Sequence, residues 1–225
     1  VIIKKINENF SYIDVLFIDD DSPDGTGDIL ELICEEQKNV SVIRRKNFRK
    51  GIGSAHIDGI NYAYNNDYEY ILTMDCDLSH SPEYFNNFFE RADTSDLVIG
   101  TRFRLSNSIQ NWNVYRKSLT NLGHIASKLF LGMNYDSTGA FRLYNLKTID
   151  RKFLNLITFF RYSFFFESLF ILHKNKYKIT EIPITLPSRV YGNSKQKFSD
   201  VFIGIRNLLY ICYTRIFNKN KYLLK

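Results

Sequence analysis

Cysteine is scarce in this chain, and the three present, Cys34, Cys76 and Cys212, are far apart and odd in number. That excludes a disulfide framework and leaves no Cys/His spacing for a zinc site, so a reducing compartment is the simplest inference. Long apolar runs are also wanting. The nearest approach to a membrane span, Phe153 to Leu172, is interrupted by Arg161 and Glu167. Each such charge near the centre of a span costs about 2.5–3.5 kcal/mol, so the segment reads as a soluble or surface-lying element. No signal peptide, internal repeat or low-complexity tract is visible, and the sequence opens at Val1 without an initiator Met, which makes a fragment of a longer protein the expectation. The basic residues are not gathered with stacking aromatics in a recognisable module, so nucleic acid is not an expected partner.

What is present suits one domain over residues 1–225, since 44% hydrophobic content can fill a core. A formal charge of +6 is modest; it fits anionic lipid or a phosphorylated substrate without choosing between them. Apolar runs at Ile13–Ile18, Val40–Ile43, Tyr70–Met74, Leu97–Gly100, Ala140–Tyr144 and Lys178–Ile184 read as strands. Helical spacing separates them: Ile29, Leu32 and Ile33 within Thr26–Gln37; Ile52, Ala55, Ile60 and Ala63 after Gly51; a helix from Ser81-Pro82 to about Ala92; another around Trp112–Leu131. This rhythm predicts an α/β sandwich around a largely parallel central sheet. Residues 198–225 read as an amphipathic helix with a basic tail, Val201, Ile205, Leu208, Leu209 and Cys212 sharing one side. Packing of that side on the sheet is the commoner arrangement for such a helix, and docking on an anionic bilayer is the other.

Two acidic clusters follow predicted strands. Asp75-Cys76-Asp77-Leu78-Ser79-His80 leaves the apolar run Tyr70–Met74 at what should be a carboxyl edge, where open α/β sheets bind ligands. Carboxylates two residues apart there repel unless a cation lies between them, and Mg²⁺ or Mn²⁺ carrying phosphate oxygens is the natural occupant. The plainer reading is a strand cap and turn. Asp19-Asp20-Asp21-Ser22-Pro23-Asp24-Gly25-Thr26 runs straight into a helix, so Asp24 or Thr26 can cap it. Three consecutive Asp exceed what a turn needs, and a carboxylate there can accept hydrogen bonds from a base or ribose.

With both clusters in place, the order of motifs resembles the inverting glycosyltransferases of the GT-A fold, family 2, and within them the dolichol-phosphate mannose synthase branch. The matching pieces are the two acidic clusters, Lys50-Gly51-Ile52-Gly53-Ser54-Ala55, Gly100-Thr101-Arg102-Phe103, Thr138–Tyr144 and Arg189–Lys195. The resemblance implies transfer of mannose from GDP-mannose to dolichyl or polyprenyl phosphate, with Mg²⁺ or Mn²⁺ as cofactor. It implies donor contacts from Asp19, Asp20, Asp24, Lys50, Gly51 and Asp75, and a metal held by Asp75 and Asp77 with Ser79 nearby. Arg102, Arg116, Thr120, Arg189 and Lys195 would surround the acceptor phosphate, and Asp77, Arg102, Arg189, Lys195 and Glu167 would carry catalysis. Arg116 and Thr120 are four apart on a predicted helix and so share a face. Taken singly, each of these basic residues reads as a solvated surface charge. The implied setting is the cytoplasmic face of a membrane (endoplasmic reticulum or bacterial inner membrane), reached by surface docking or an anchored partner.

The family opens with a strand that walls the nucleotide pocket and ends in a Pro-x-Tyr-Asn-Glu type motif. This sequence starts after that point, so a GT-A sandwich with its first strand missing and weak donor binding is the expectation. Asp21 stands where a glycine is usual. A phosphate acceptor, with a second pKa of about 6, needs no general base at neutral pH. His80 reads as a local hydrogen-bonding residue and His124 as no more than a candidate. Phe159, Phe160, Phe164 and Phe165 are candidates for an apolar groove that takes an isoprenoid tail. A UDP-sugar donor and a non-catalytic lipid- or partner-binding module are the competing readings; an Asp-x-Asp phosphohydrolase is disfavoured because its motif belongs near the first strand.

Overall fold

The structure, a computed structural model, describes residues 1–46, 51–106, 108–109, 112, 114–187 and 198–225, with the backbone alone at 115, 116 and 198. The elements in order are α1 (Ile2–Phe10), β1 (Val15–Asp19), α2 (Thr26–Glu36), β2 (Val40–Arg44), α3 (Ile52–Asn65), β3 (Tyr70–Thr73), α4 (Phe85–Ala92), β4 (Leu97–Thr101), α5 (Val114–Ala126), β5 (Arg142–Asn145), α6 (Phe164–Lys174), β6 (Ile179–Pro183) and α7 (Phe198–Phe217). Short 3₁₀ turns at Pro82–Tyr84 and Arg151–Leu156 and a π turn at Ser127–Leu131 fill in between. Pro82 opens the turn before α4, with the Ser81 side chain accepting from the Glu83 N–H, as a Ser-Pro start requires.

β1 and β2 pair in parallel, Val15 opposite Val40 through Asp19 opposite Arg44. The other four strands form a sheet in the order β3-β5-β4-β6. β4 and β6 are parallel, and β5 is antiparallel to both β3 and β4. Strands β3, β4 and β6 therefore run one way, as predicted, and β5 opposes them. That reversal matters for the site, because β5 begins with Arg142 opposite Thr73 and Ile99, at the edge where β3 and β4 end. Helix α3 covers both sheets: a Cβ at Gly59 would lie 3.0 Å from Ile18 Cδ1 of β1 and 4.0 Å from Ile71 Cδ1 of β3.

Strand alternation divides the core. Leu97 and Ile99 of β4 and Tyr144 of β5 face a cluster with α3, α6, Ile211 and Tyr222. Val98 and Leu143 face the opposite way, onto α1 and α4 through Ile6, Phe10, Phe85 and Phe88. Both faces of the sheet are thus covered, the condition for an α/β sandwich.

Several expectations need correction. Helix α1 was not foreseen, although Ile3, Ile6 and Phe10 repeat at helical spacing and are buried. In α2, Ile29 and Leu32 are 58% and 61% exposed, and Gly27 and Leu30 face inward instead. In α7 the buried residues are Asn207, Leu208, Ile211 and Thr214, while Ile205 and Leu209 point outward. The sequence face was misassigned because apolar residues occur all round this helix, so periodicity cannot select a side. Nor is the tail wholly solvated: Tyr222 is buried, its carbonyl accepts from Asn175 Nδ2 at 2.7 Å, and the Leu224 N–H donates to Asn175 Oδ1 at 2.8 Å. No helix among the described residues is long and apolar enough to cross a membrane.

Candidate functional site

The loop leaving β3 is held by its own polar groups. Asp77 Oδ1 accepts from the Ser79 N–H at 3.0 Å and from Ser79 Oγ at 2.5 Å. Leu78 has a φ of 65°, a left-handed conformation that is rare for a bulky side chain, as the chain doubles back. His80 Nδ1 then accepts from the Asp75 N–H at 2.9 Å, which places the proton of the neutral ring on Nε2. The ring is buried and stacked on Phe141, with centroids 4.8 Å apart. Burial pushes its pKa below the ordinary histidine value, against the opposing pull of Asp75 and Asp77. His80 thus fixes the main chain of Asp75, while Asp75 and Asp77 remain only partly buried.

Arg102 reaches the same place from the end of β4. It is 8% exposed, and its Nε and Nη2 donate to the two oxygens of Asp136 at 2.8 and 2.5 Å. The Arg102 N–H adds a third bond to Asp136, and Nη2 also meets Thr138 Oγ1 at 2.6 Å. Burial alone would raise the Asp136 carboxyl; the Arg102 charge and its hydrogen bonds outweigh that and hold it below the usual carboxylate range. The reciprocal attraction, with a contribution from Asp75, raises Arg102 against the effect of burial. Arg102 is therefore a permanent, immobile cation beside Asp75. Glu181 of β6 supports the pair, accepting from the Asp136 N–H at 2.7 Å and from Arg104 Nε at 3.0 Å. Sequence reasoning found Arg102 but not Asp136 or Glu181. The signal available was that an arginine at the end of an all-apolar strand must find a buried carboxylate.

A cleft of about 210 Å³ opens beside Arg102, bounded by Phe103, Ser108 and Ile109 and, from α5, by Lys117 and Asn121. Phe103 stacks on His124 of α5 with centroids 3.9 Å apart. Thr120 is half-buried on the same helix. The side chain of Arg116, and all of Lys50, Arg189 and Lys195, lie outside the described residues. A larger hollow of about 570 Å³, between α1 and α2, contains none of the predicted site residues.

The first acidic loop is organised differently. Asp19 is buried and accepts from the Ser22 N–H through both oxygens, at 3.3 and 3.2 Å. Asp21 adopts a φ of 61°, so an aspartate takes the left-handed position without a glycine. Asp24 accepts from the N–H and Oγ1 of Thr26 at the start of α2. Asp20 accepts from the Gly51 N–H at 3.1 Å and lies 3.2 Å from Arg45 Nε. Arg45, which the sequence did not single out, is 1% exposed; it also pairs with Asp58 at 3.2 Å and donates to Ser54 Oγ at 2.6 Å. Asp19 and Asp24 thus shape the turn, and Asp20 is joined to the start of α3.

Glu167 is not at the sheet edge. It is fully buried, with Oε2 accepting from the N–H groups of Thr158 and Phe159 at 2.9 and 2.8 Å and Oε1 from Tyr222 Oη at 3.1 Å. Burial raises its pKa and these donors partly offset the rise. Its position fits a clamp on the 158–160 loop, whose Phe160 carbonyl accepts from the Ser54 N–H at 3.0 Å. Phe164 and Phe165 are core residues and cannot line an open groove; Phe159 and Phe160 are half-buried.

Asp75, Asp77, Ser79, His80, Arg102 and Asp136 therefore converge where β3 and β4 end and β5 begins. Among the described residues no three His, Cys, Asp or Glu side chains form a cluster able to enclose a metal ion. A pair of half-buried carboxylates suits instead a hard cation that takes its other oxygens from a substrate. Such an edge, acidic beside a fixed guanidinium, can hold a polyphosphate through a cation on one side and directly on the other.

Residues 2–166 match the family model described as glycosyl transferase family 2. The chain is 35% identical over 183 residues to undecaprenyl-phosphate mannosyltransferase of Micrococcus luteus, which covers 81% of this chain and 75% of that protein. It is 28% identical over 204 residues to polyprenol monophosphomannose synthase of Mycolicibacterium smegmatis, covering 89% and 77%. In fold it is similar to the crystal structure of glucosyl-3-phosphoglycerate synthase from Mycobacterium tuberculosis in complex with UDP. The TM-score is 0.61 at 16% identity, over 94% of this chain and 76% of that one.

Proposed function

This chain belongs to glycosyl transferase family 2, with the GT-A fold, and from that premise we propose that it moves mannose from GDP-mannose to a polyprenyl phosphate at the cytoplasmic face of a membrane. Enzyme class and family are not in question. The names of its two mannosyltransferase relatives support the acceptor and the sugar. The observation that carries the reading is that Asp75 and Asp77 follow the end of β3, and Arg102 the end of β4, at the same edge of one sheet.

Asp75 and Asp77, with Ser79 bracing Asp77, are the residues that would hold Mg²⁺ or Mn²⁺. When bound, that ion would neutralise charge on the donor diphosphate. The protein's own contribution is positional. Arg102, locked by Asp136, presents a cation that needs no rearrangement as negative charge builds on the departing diphosphate. The cleft with Lys117 and Asn121 is the nearest place for an acceptor phosphate. Such a phosphate is largely ionised at neutral pH, so the reaction needs no base from the protein. His80, committed to Asp75, and Glu167, committed to Thr158 and Phe159, are both held in other work. Holding two anions together is then the principal task.

The test is transfer of radiolabelled mannose from GDP-mannose, with Mn²⁺, into a chloroform-soluble product. The parent should make it, and Asp75→Ala/Asp77→Ala should lose at least about 100-fold in rate, the size of a missing electrostatic stabiliser. Undiminished transfer by the double variant, or product only with UDP-sugars, would overturn the site or the donor assignment respectively.

A further inference from the structure

The turn after β1 uses two of its acids on itself. Asp19 accepts from the Ser22 N–H and Asp24 from Thr26, whereas Asp20 points away from the turn, toward α3. Asp20 also stands on the same side of the molecule as the Asp75 loop. β1 and β3 begin together, Tyr68 Oη donating to Asp14 Oδ2 at 2.7 Å, and both pass beneath α3, where Gly59 fits against Ile18 and Ile71. Their carboxyl ends therefore emerge together, with Asp20 following the first and Asp75 the second.

Asp20 is held by Arg45, the residue after β2. The Arg45 N–H donates to the Asp19 carbonyl at 2.8 Å, so its side chain starts from a fixed point beside the turn. The guanidinium, 1% exposed, reaches three groups: Nε lies 3.2 Å from Asp20 Oδ1 and 3.2 Å from Asp58 Oδ2, and Nη2 donates to Ser54 Oγ at 2.6 Å. Ser54 Oγ donates in turn to the Gly51 carbonyl at 2.8 Å, and the Gly51 N–H donates to Asp20 Oδ2 at 3.1 Å, which closes a ring. Partial burial raises the Asp58 carboxyl above its ordinary value; Arg45 opposes the rise and Asp20 adds to it, so the three charges act on one another. A buried guanidinium needs a carboxylate, and Asp58 alone meets that need. The second contact, to an acid on an exposed loop, has a different effect. Asp20 Oδ1 is buried against Arg45 and Oδ2 is tied to Gly51, so the carboxylate cannot rotate. The side chain is still 36% exposed, which leaves Oδ2 facing outward with capacity for a further donor.

We propose that Arg45 is a positioning residue for the sugar donor: it fixes Asp20 so that Oδ2 accepts an N–H of the nucleotide base without first having to be ordered. The proposal rests on the donor reading given above and adds to it a residue outside both acidic motifs. Because the ordering precedes the donor's arrival, Arg45 acts on donor affinity and leaves the step at Asp75, Asp77 and Arg102 alone. Lysine in its place keeps the charge but loses the fork that spans Asp20 and Ser54.

The experiment is a double-variant cycle on Arg45 and Asp20, read in the mannosyl-transfer assay and, without turnover, by calorimetry of GDP in the presence of Mn²⁺. Arg45→Lys should raise the KM for GDP-mannose and the Kd for GDP about tenfold, while kcat and the KM for polyprenyl phosphate stay within about twofold of the parent. Asp20→Asn should raise the same two donor constants. Arg45→Lys added to Asp20→Asn should then change them by less than about twofold, because the group through which Arg45 acts has gone. Ser54→Ala, which a helix accepts, should raise the donor constants about threefold, again only while Asp20 is present, and it carries the test if Arg45→Lys does not fold. The proposal is overturned by an Arg45→Lys variant with parental donor constants, or by one whose kcat falls while those constants stay put. It is equally overturned by additive effects in the two backgrounds, the result expected of a tie between β2 and α3 that has no part in binding. A parent that transfers only from a UDP-sugar would defeat the donor assignment instead, and the same cycle run with that sugar and UDP still decides for or against Arg45.

Discussion

Asp136 shows how an arginine at the candidate site depends on a residue that no motif announces. Arg102 could be picked out because Gly100-Thr101-Arg102-Phe103 is one of the pieces that carry the family resemblance, and Asp75 and Asp77 because carboxylates two residues apart at a sheet edge repel unless a cation lies between them. Asp136 is one acid in an unremarkable loop, and only the fold brings it to Arg102. Glu167 is the other case: the resemblance named it among the catalytic residues, and the fold buries it amid Phe164–Phe170 with main-chain donors from Thr158 and Phe159 on one of its oxygens. Asp136→Asn should lower unfolding free energy by about 3–5 kcal/mol in urea denaturation, because Arg102 stays buried and charged without its partner. The sign with pH follows from a folded pKa below the usual carboxylate value. The pair's contribution is complete above about pH 4 and is lost as pH falls through the folded pKa, so the gap between parent and variant should narrow in acid.

At the level of elements, the strands were legible because short apolar runs bounded by turn residues have few other uses. The direction of β5 was not, since no residue pattern in Arg142–Asn145 distinguishes an antiparallel strand from a parallel one. The orientation of α7 was lost for a related reason, its apolar residues encircling the helix. Glycine spacing carries information that periodicity does not. A Cβ at Gly53 would lie 2.5 Å from Phe164 Cβ and 2.7 Å from the Arg161 carbonyl, so α3 approaches the start of α6 only without a side chain there. Gly53→Ala should therefore lower stability by about 1–3 kcal/mol in thermal denaturation. Gly27→Ala is the control: the atoms nearest its Cβ, at 2.6 to 2.9 Å, are the movable end of Arg44. Its change should stay within about 1 kcal/mol, since helix propensity gained offsets the Arg44 pairing disturbed.

For the whole molecule, the carboxy-terminal segment reaches back into the core. Tyr222 packs edge-on against Phe170 at 5.6 Å and donates to Glu167, which in turn clamps the loop on α3. Tyr222→Phe should cost about 1–3 kcal/mol by leaving one oxygen of Glu167 unpaired, and Tyr222→Ala about 3–5 kcal/mol by adding a cavity. Calorimetry separates the two, and equal melting temperatures for both variants would remove the tail from this account. None of this was visible in a sequence that ends in what reads as a plain basic tail.

The last residues of the chain are wired to its first acidic loop: Tyr222 donates to Glu167, Glu167 accepts from the Phe159 N–H, the next carbonyl accepts from Ser54, and Gly51, three residues earlier, donates to Asp20. Loosening Tyr222 should therefore be felt at a turn near the other end of the sequence, and hydrogen exchange at the Gly51 amide would register it as faster solvent access.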